Sequence, residues 1–171
     1  IRPRDWSSDV CSSDLSFRAA FDLQGKVAVV TGGAGILGAQ FCSALADHGA
    51  AVAVADLDGS KAERLAAELA EKFGVVALGI ETDVADEKSI KWLADRVEDK
   101  LGAITILANN AATKGRDTAA FFAAAEQFSL DAWREVMAVN LDGMFLTARE
   151  IGGRMATQGL GSIIQTASIY A

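Results

Sequence analysis

The stretch KVAVVTGGAGILG, Lys26–Gly38, decides how the rest of the chain is read. Lys26–Thr31 is apolar and Val-rich without alternation, the pattern of a strand buried on both faces of a parallel sheet. Four glycines crowd into Gly32–Gly38, and a helical stretch, Ile36–His48, follows with Gly49 as its C-cap. A glycine turn between a strand and a helix is the context in which backbone amides bind phosphate. Gly32 allows the tight turn, Gly35 lets amides approach a pyrophosphate, and Gly38 removes a side chain where helix meets sheet. The first amides of the new helix, at Ile36 and Leu37, then face the phosphates with the helix dipole behind them. Such turns also follow strands that bind nothing, so the glycines alone leave the choice open.

Working outward, Ala51–Ala55 reads as a second strand and Ser60–Phe73 as a helix closed by Gly74. Val75–Ile80 is expected as a third strand, Glu87–Leu101 as a helix closed by Gly102, and Ile104–Ala108 as a fourth strand. After a polar loop around Thr113–Thr118, Ser129 is a candidate N-cap. From there Leu130, Trp133, Met137, Leu141, Met144, Ala148, Ile151 and Met155 recur at steps of three or four, one apolar stripe on one long helix. Ser162–Thr166 is a fifth strand. Strands alternating with helices of this length give an α/β class, doubly wound, with a parallel sheet and helices on both faces. Asp56 ends the second strand eighteen residues past Gly38, beside Leu57, where an acid can accept hydrogen bonds from ribose hydroxyls. A 2′-phosphate there would meet like charge, at ~4 kcal/mol for unit charges about 4 Å apart at an effective dielectric near 20. No Arg or Lys adjoins the glycine turn to offset it, so NAD is expected over NADP.

The chain has 171 residues, 51% of them hydrophobic, enough for one domain with its own core. A net charge of −7 argues against nucleic acid or an anionic membrane surface as partner. No run approaches the ~20 apolar residues of a membrane span. Cys11 and Cys42 offer neither a disulfide framework nor zinc spacing, which suits a reducing, cytoplasmic setting. His48, the one His, leaves no metal site and no Ser–His pair to expect. Residues 1–15, IRPRDWSSDVCSSDL, show no helical or strand period and no secretory pattern, and from Asp5 they resemble a translated sequencing-library adapter. Residues 1–16 are therefore expected to be an artefactual or disordered tail, and 17–171 a single domain.

With Thr31–Gly38, Asp56, Asp83-Val84 and Asn109-Asn110-Ala111-Ala112 in this order, the chain from about Phe21 to Ala171 resembles the short-chain dehydrogenase/reductase family. The family's usual T-G-x-x-x-G-x-G places Gly where this chain has Ile36. Here the middle glycine is Gly35, the T-G-x-x-G-x-x-G form of the family's extended branch, while Asn-Asn-Ala-Ala points to the shorter oxidoreductase branch. The resemblance implies a Rossmann-type NAD(P)-binding domain in which Asp83 and Val84 hold the adenine. It sets Asn109 and Ala111 along the cofactor, with Asn109 also steadying the sheet. It assigns Asn140, in Val139-Asn140-Leu141, to bending the helix and anchoring a water of the proton relay, and Ser168 to hydrogen-bonding the substrate's carbonyl or hydroxyl. From the residues alone, Asp83 reads as a helix-start acid, Asn109-Asn110 as a turn, and Asn140 as an amide that must be bonded within an apolar face.

The family's proton donor is a Tyr in Y-x-x-x-K. Tyr170 lies two residues past Ser168 and its Lys would fall at position 174, so Tyr170 is not taken as that acid. The chain is expected to be the N-terminal part of an oxidoreductase, cut after its fifth strand, with an unpaired strand edge and no activity by itself. The resemblance implies hydride transfer between a nicotinamide cofactor and a small alcohol or ketone, in a homo-oligomeric parent. Two other readings use the same turn. One is a non-catalytic dinucleotide-binding or regulatory module; the other is a methyltransferase, which leaves Asn109, Asn140 and Ser168 together without a purpose.

Overall fold

Val27 and Val29 face one apolar cluster and Ala28 and Val30 another, so the run in β1 (Val27–Thr31) has no need of a polar face. A computed structural model describes residues 21–168; the tail at 1–16 and Tyr170 lie outside the described residues. β1 is flanked by β2 (Ala51–Asp56) and β4 (Ile106–Asn109), with β3 (Ala77–Glu81) beyond β2 and β5 (Ser162–Gln165) beyond β4. Every pairing is parallel, in the order β3-β2-β1-β4-β5. The helices are α1 (Ile36–Asp47), α2 (Gly59–Phe73), α3 (Glu87–Leu101), α4 (Thr118–Phe121), α5 (Leu130–Met137) and α6 (Met144–Gln158). Cys42 and Ala46 of α1 pack with Ala62, Ala66 and Leu69 of α2 on one face; Leu93 and Val97 of α3 pack with Ile151 and Met155 of α6 on the other. This is the doubly wound sheet that the alternation of strands and helices called for. No helix among the described residues is long and apolar enough to cross a membrane.

The chain runs from β1 outward to β3, then returns to the other side of β1 to lay down β4. The crevice between the diverging connections after β1 and β4 is where open sheets of this kind place ligands. Local sequence sets the helix starts around it. Asp58, Asp86 and Ser129 cap α2, α3 and α5 by accepting the amides of Lys61, Lys88 and Ala132. α1 begins at Gly35 without a side-chain cap.

Several boundaries differ from the expected ones. β3 starts at Ala77, not Val75, because Val76 is turned outward. β4 starts at Ile106: Thr105 bonds to both the N–H and the C=O of Val27 through its side chain, ahead of the regular ladder. β4 also runs on to Asn109 and β2 to Asp56, so both strands reach the residues of the crevice. A short α4 and a 3-10 turn, Ala125–Gln127, lie between the loop expected around Thr113–Thr118 and the cap at Ser129.

The long helix is the main correction. It is two α-helical pieces joined by a π-helical segment, Ala138–Gly143. A wider turn shifts the phase of everything after it, so the stripe is not buried as one face. Ile151 and Met155 are core, whereas Leu130, Trp133 and Leu141 are exposed. Among the described residues β5 pairs with β4 alone, and its Ile163 and Ile164 stay accessible.

α6 is held against α3 by more than apolar contact. Arg154 donates to Asp95 (2.6 Å) and Glu98 (2.7 Å) on α3 and to Glu150 (2.7 Å) on its own helix. The apolar term is the larger one, since Ile151 is fully buried between helix and sheet. Ile151→Ala should lower stability by about 2–5 kcal/mol in urea unfolding. A loss well under 1 kcal/mol would mean that α6 does not close this face of the sheet.

Candidate active site and its relatives

Thr31 ends β1 with a hydroxyl that uses its whole hydrogen-bonding capacity. It donates to Asn109 Oδ1 (3.1 Å) and accepts the amides of Asn110 (2.9 Å) and Ala111 (3.1 Å). Asn110 Nδ2 donates to the Thr31 carbonyl at 3.2 Å, which ties the chain leaving β4 back to the chain leaving β1. Asn109 Nδ2 donates to the Met144 carbonyl at 2.8 Å, drawing the first residue of α6 into the same network. Asn109 was expected to lie along a cofactor as well as in the sheet. It is buried, both atoms of its amide are engaged by the scaffold, and it does not line the crevice.

The other expected binding residues do line it. Gly32, Gly35, Ile36, Leu37, Gly38, Asp56, Leu57, Asp83, Val84 and Ala111 share one cleft of about 920 Å³. Gly32 turns the chain with φ 60°, and a Cβ there would sit 2.9 Å from Ala111 Cα. A Cβ at Gly38 would collide with the Gly32 carbonyl, so only glycine lets α1 start this close to the turn. At Gly35 the added carbon would meet just Gly32 O, at 3.2 Å, and otherwise occupy the cleft itself. Gly35 N–H donates to Gly32 O (3.1 Å) and Ala39 N–H to Gly35 O (2.9 Å), leaving the Ile36 and Leu37 amides without an acceptor among the described residues. An uncapped helix N-terminus opening on a cleft is suited to an anion.

Asp56 forms the next part of the wall. One carboxylate oxygen accepts the amide of Ala34 and the other that of Asp58, each at 3.0 Å. The acid is thereby fixed against the glycine turn, and each oxygen keeps lone-pair capacity for a further donor. Asp83 is not the cap of α3, a role that falls to Asp86; it accepts the amide of Ala85 (2.9 Å) and shapes the loop above β3. Val84 is buried in that loop against Gly143 of the π segment. Beneath the turn, Cys42 donates to Gly33 O at 3.8 Å, and burial pushes its thiol up to about 12. It is a core residue, not a nucleophile.

Asn140 lies in the π segment. Its Oδ1 accepts the amide of Thr113 (2.7 Å) and its Nδ2 donates to the Thr113 carbonyl (3.0 Å), so it docks the loop after β4 on the helix. Neither Asn140 nor Ser168 lines the cleft; Ser168 lies past the end of β5 and is exposed. Sequence reasoning missed the far wall: Lys114, Gly115, Arg116, Glu135, Ala138 and Val139. Arg116 is held there by Glu135, which accepts its amide at 3.1 Å and its Nε at 3.3 Å. The signal available for Lys114 and Arg116 was position alone, in a loop leaving the C-terminal end of a strand.

A family model described as short chain dehydrogenase matches residues 26–171. The chain belongs to this family. It is 41% identical over 157 residues to D-threitol dehydrogenase of Mycolicibacterium smegmatis, a match covering 92% of this chain and 58% of that protein. It is 35% identical over 147 residues to the 3-oxoacyl-acyl-carrier-protein reductase of Aquifex aeolicus, covering 86% and 57%. Among solved structures, NAD+-bound xylitol dehydrogenase superposes with a TM-score of 0.79 at 33% identity, over 86% of this chain and 54% of that one. An NADPH-dependent 3-quinuclidinone reductase from Rhodotorula rubra gives 0.79 at 29% identity, over 96% and 60%. The chain thus spans a little over half the length of these relatives.

The geometry gives Thr31 a measurable weight. Thr31→Val keeps the side chain's shape but orphans the Asn109 carbonyl and two amides. It should cost about 1–3 kcal/mol for each buried group left without a partner. Urea unfolding of the variant against the parent chain measures this; an unchanged midpoint would show that the crevice does not depend on the hydroxyl.

Proposed function

We propose that the protein is a cytoplasmic oxidoreductase that uses NAD in preference to NADP and acts on a hydroxyl or carbonyl group of a small molecule. What carries the reading is one cleft that joins the acceptor-free amides of Ile36 and Leu37 to the carboxylate of Asp56. A dinucleotide needs both: donors for its diphosphate and an acceptor for its adenosine ribose. The residues present fit that group. Gly32, Gly35 and Gly38 would let its diphosphate reach the backbone, Asp56 and Leu57 would meet the ribose, Asp83 and Val84 the adenine, and Ala111 the stretch beyond. When bound, the nicotinamide supplies or accepts a hydride.

Two residues are proposed for the chemistry. Ser168 would hydrogen-bond the reacting oxygen of the substrate. Asn140 would bend the helix and anchor a water of the proton relay. Its side chain already holds Thr113 through both atoms, so we assign that water to its main chain. A proton donor of the Tyr-x-x-x-Lys kind does not occur within these 171 residues, and the chain by itself is proposed to be inactive. The full-length protein is proposed to be a homo-oligomer.

Calorimetry of the full-length protein with NAD+ and NADP+ tests the reading. Binding of NAD+, with turnover on a panel of alcohols by the full-length protein and none by the 171-residue chain, is expected. Asp56→Arg should move preference toward NADP+ by at least about tenfold. No heat with either nucleotide would overturn the assignment.

A further inference from the structure

Glu81 ends β3 beside Asp56, and nothing derived so far uses it. Asp56 and Glu81 are register partners across β2 and β3, the last residue of each strand. Partners in a parallel pair point to the same face, with their strands about 4.8 Å apart. Two carboxylates in that relation repel each other, and Glu81 has no ion pair among the described residues to offset this. Its side chain lies over Gly59, the first residue of α2: a Cβ there would come 2.8 Å from Glu81 Cβ and 3.2 Å from its Oε2. The carboxylate therefore stands at the positive end of α2.

A helix N-terminus next to the adenosine ribose is also where a phosphate on that ribose would be drawn. Here it is already taken by anions. Asp58 accepts the Lys61 amide at 3.0 Å as the cap, and Glu81 lies over the first turn. Lys61, at the cap, is already engaged. Lys61 Nζ is 2.9 Å from Asp58, and bonding from its ammonium and then its amide holds the Asp58 carboxyl below its usual range. A shallow depression of about 580 Å³ at this corner is lined by Asp56, Leu57, Asp58, Gly59, Ser60 and Glu81.

We propose that Glu81 is a second determinant of coenzyme choice: with Asp56 it walls off the start of α2 and excludes a phosphate from the 2′ position of the adenosine ribose. This rests on the cleft being a dinucleotide site. It also means that an Arg placed at position 56 would sit in register with Glu81 and pair with it, so Asp56 alone does not carry the discrimination.

Equilibrium binding of NAD+ and NADP+ to the full-length protein tests this through the ratio of the two dissociation constants. Glu81→Gln should shift the ratio toward NADP+ by about tenfold, the scale of one screened surface charge. Glu81→Lys should shift it further, and the shift should shrink as salt rises. Asp56→Arg combined with Glu81→Gln should exceed the product of the single effects, because the new Arg is released from its partner. Glu71→Gln, at an exposed position near the far end of α2, should leave the ratio unchanged. NAD+ binding with a ratio that neither Glu81 variant moves would overturn the role of Glu81 and leave the cofactor site standing. Absence of binding by either nucleotide would overturn both.

Discussion

The crevice depends on the hydroxyl of Thr31. Two strands that lie side by side must send their chains in opposite directions, β1 into the glycine turn and β4 into the loop beyond Asn110. Each departure leaves backbone groups without ladder partners at a buried place, where an unbonded amide is costly. One side chain satisfies both amides after β4 and positions Asn109 between β1 and α6. A hydroxyl suits the task because it can donate once and accept twice within a single short side chain. With the split secured, the glycine turn is free to approach Ala111, and the start of α1 opens on the gap.

A second constraint fixes the opposite wall. The loop after β4 has no strand to lie on, and it is held by side chains from the helix facing it: Asn140 grips the Thr113 backbone and Glu135 grips the Arg116 amide. The π segment at Ala138–Gly143 is where helix, loop and the β3–α3 connection converge, since Gly143 lies against Val84. Its widened turn also changes which carbonyls are bonded along the helix. Gly143 O is taken by the Thr147 hydroxyl at 2.7 Å and Met144 O by Asn109. Ala138 and Val139 of this segment line the crevice, in keeping with the association of π-bulges with functional places.

Much of this was legible in the chain. Thr31–Gly38 reads as strand, turn and helix because glycines with nonredundant steric tasks leave few alternatives, and Asp56 follows at the distance one βα unit requires. The order of motifs gave the family. What was not legible shares one physical origin: long-range partners. Periodicity placed Leu130, Trp133 and Leu141 on one stripe, but it cannot say whether anything covers that stripe, nor that the helix is interrupted by a π turn. From the residues alone Asn109 read as part of a turn, and the resemblance set it along the cofactor and in the sheet; its amide is engaged by groups 78 and 35 residues away along the chain. Lys114 and Arg116 are ordinary loop cations until the fold sets them on a wall of the cleft, and the partnership of Asp56 with Glu81 is visible only in the register of β2 with β3.

These placements give the cleft an electrical direction. Asp56 and Asp83 line it above β2 and β3, with Glu81 in the depression beside Asp56, while its cations, Lys114 and Arg116, stand on the loop after β4, Arg116 paired with Glu135. Between them lies the start of α1, whose dipole adds positive potential where the amides of Ile36 and Leu37 are open. A ligand with neutral hydroxyls at one end and anionic charge near its middle would be favoured along this axis, and one carrying charge at both places would be opposed at the acidic end. The polarity is set by the sheet order, which brings the ends of β2 and β3 to one side of β1 and the end of β4 to the other. Charge selectivity in the proposed site would therefore be a property of topology first and of individual side chains second.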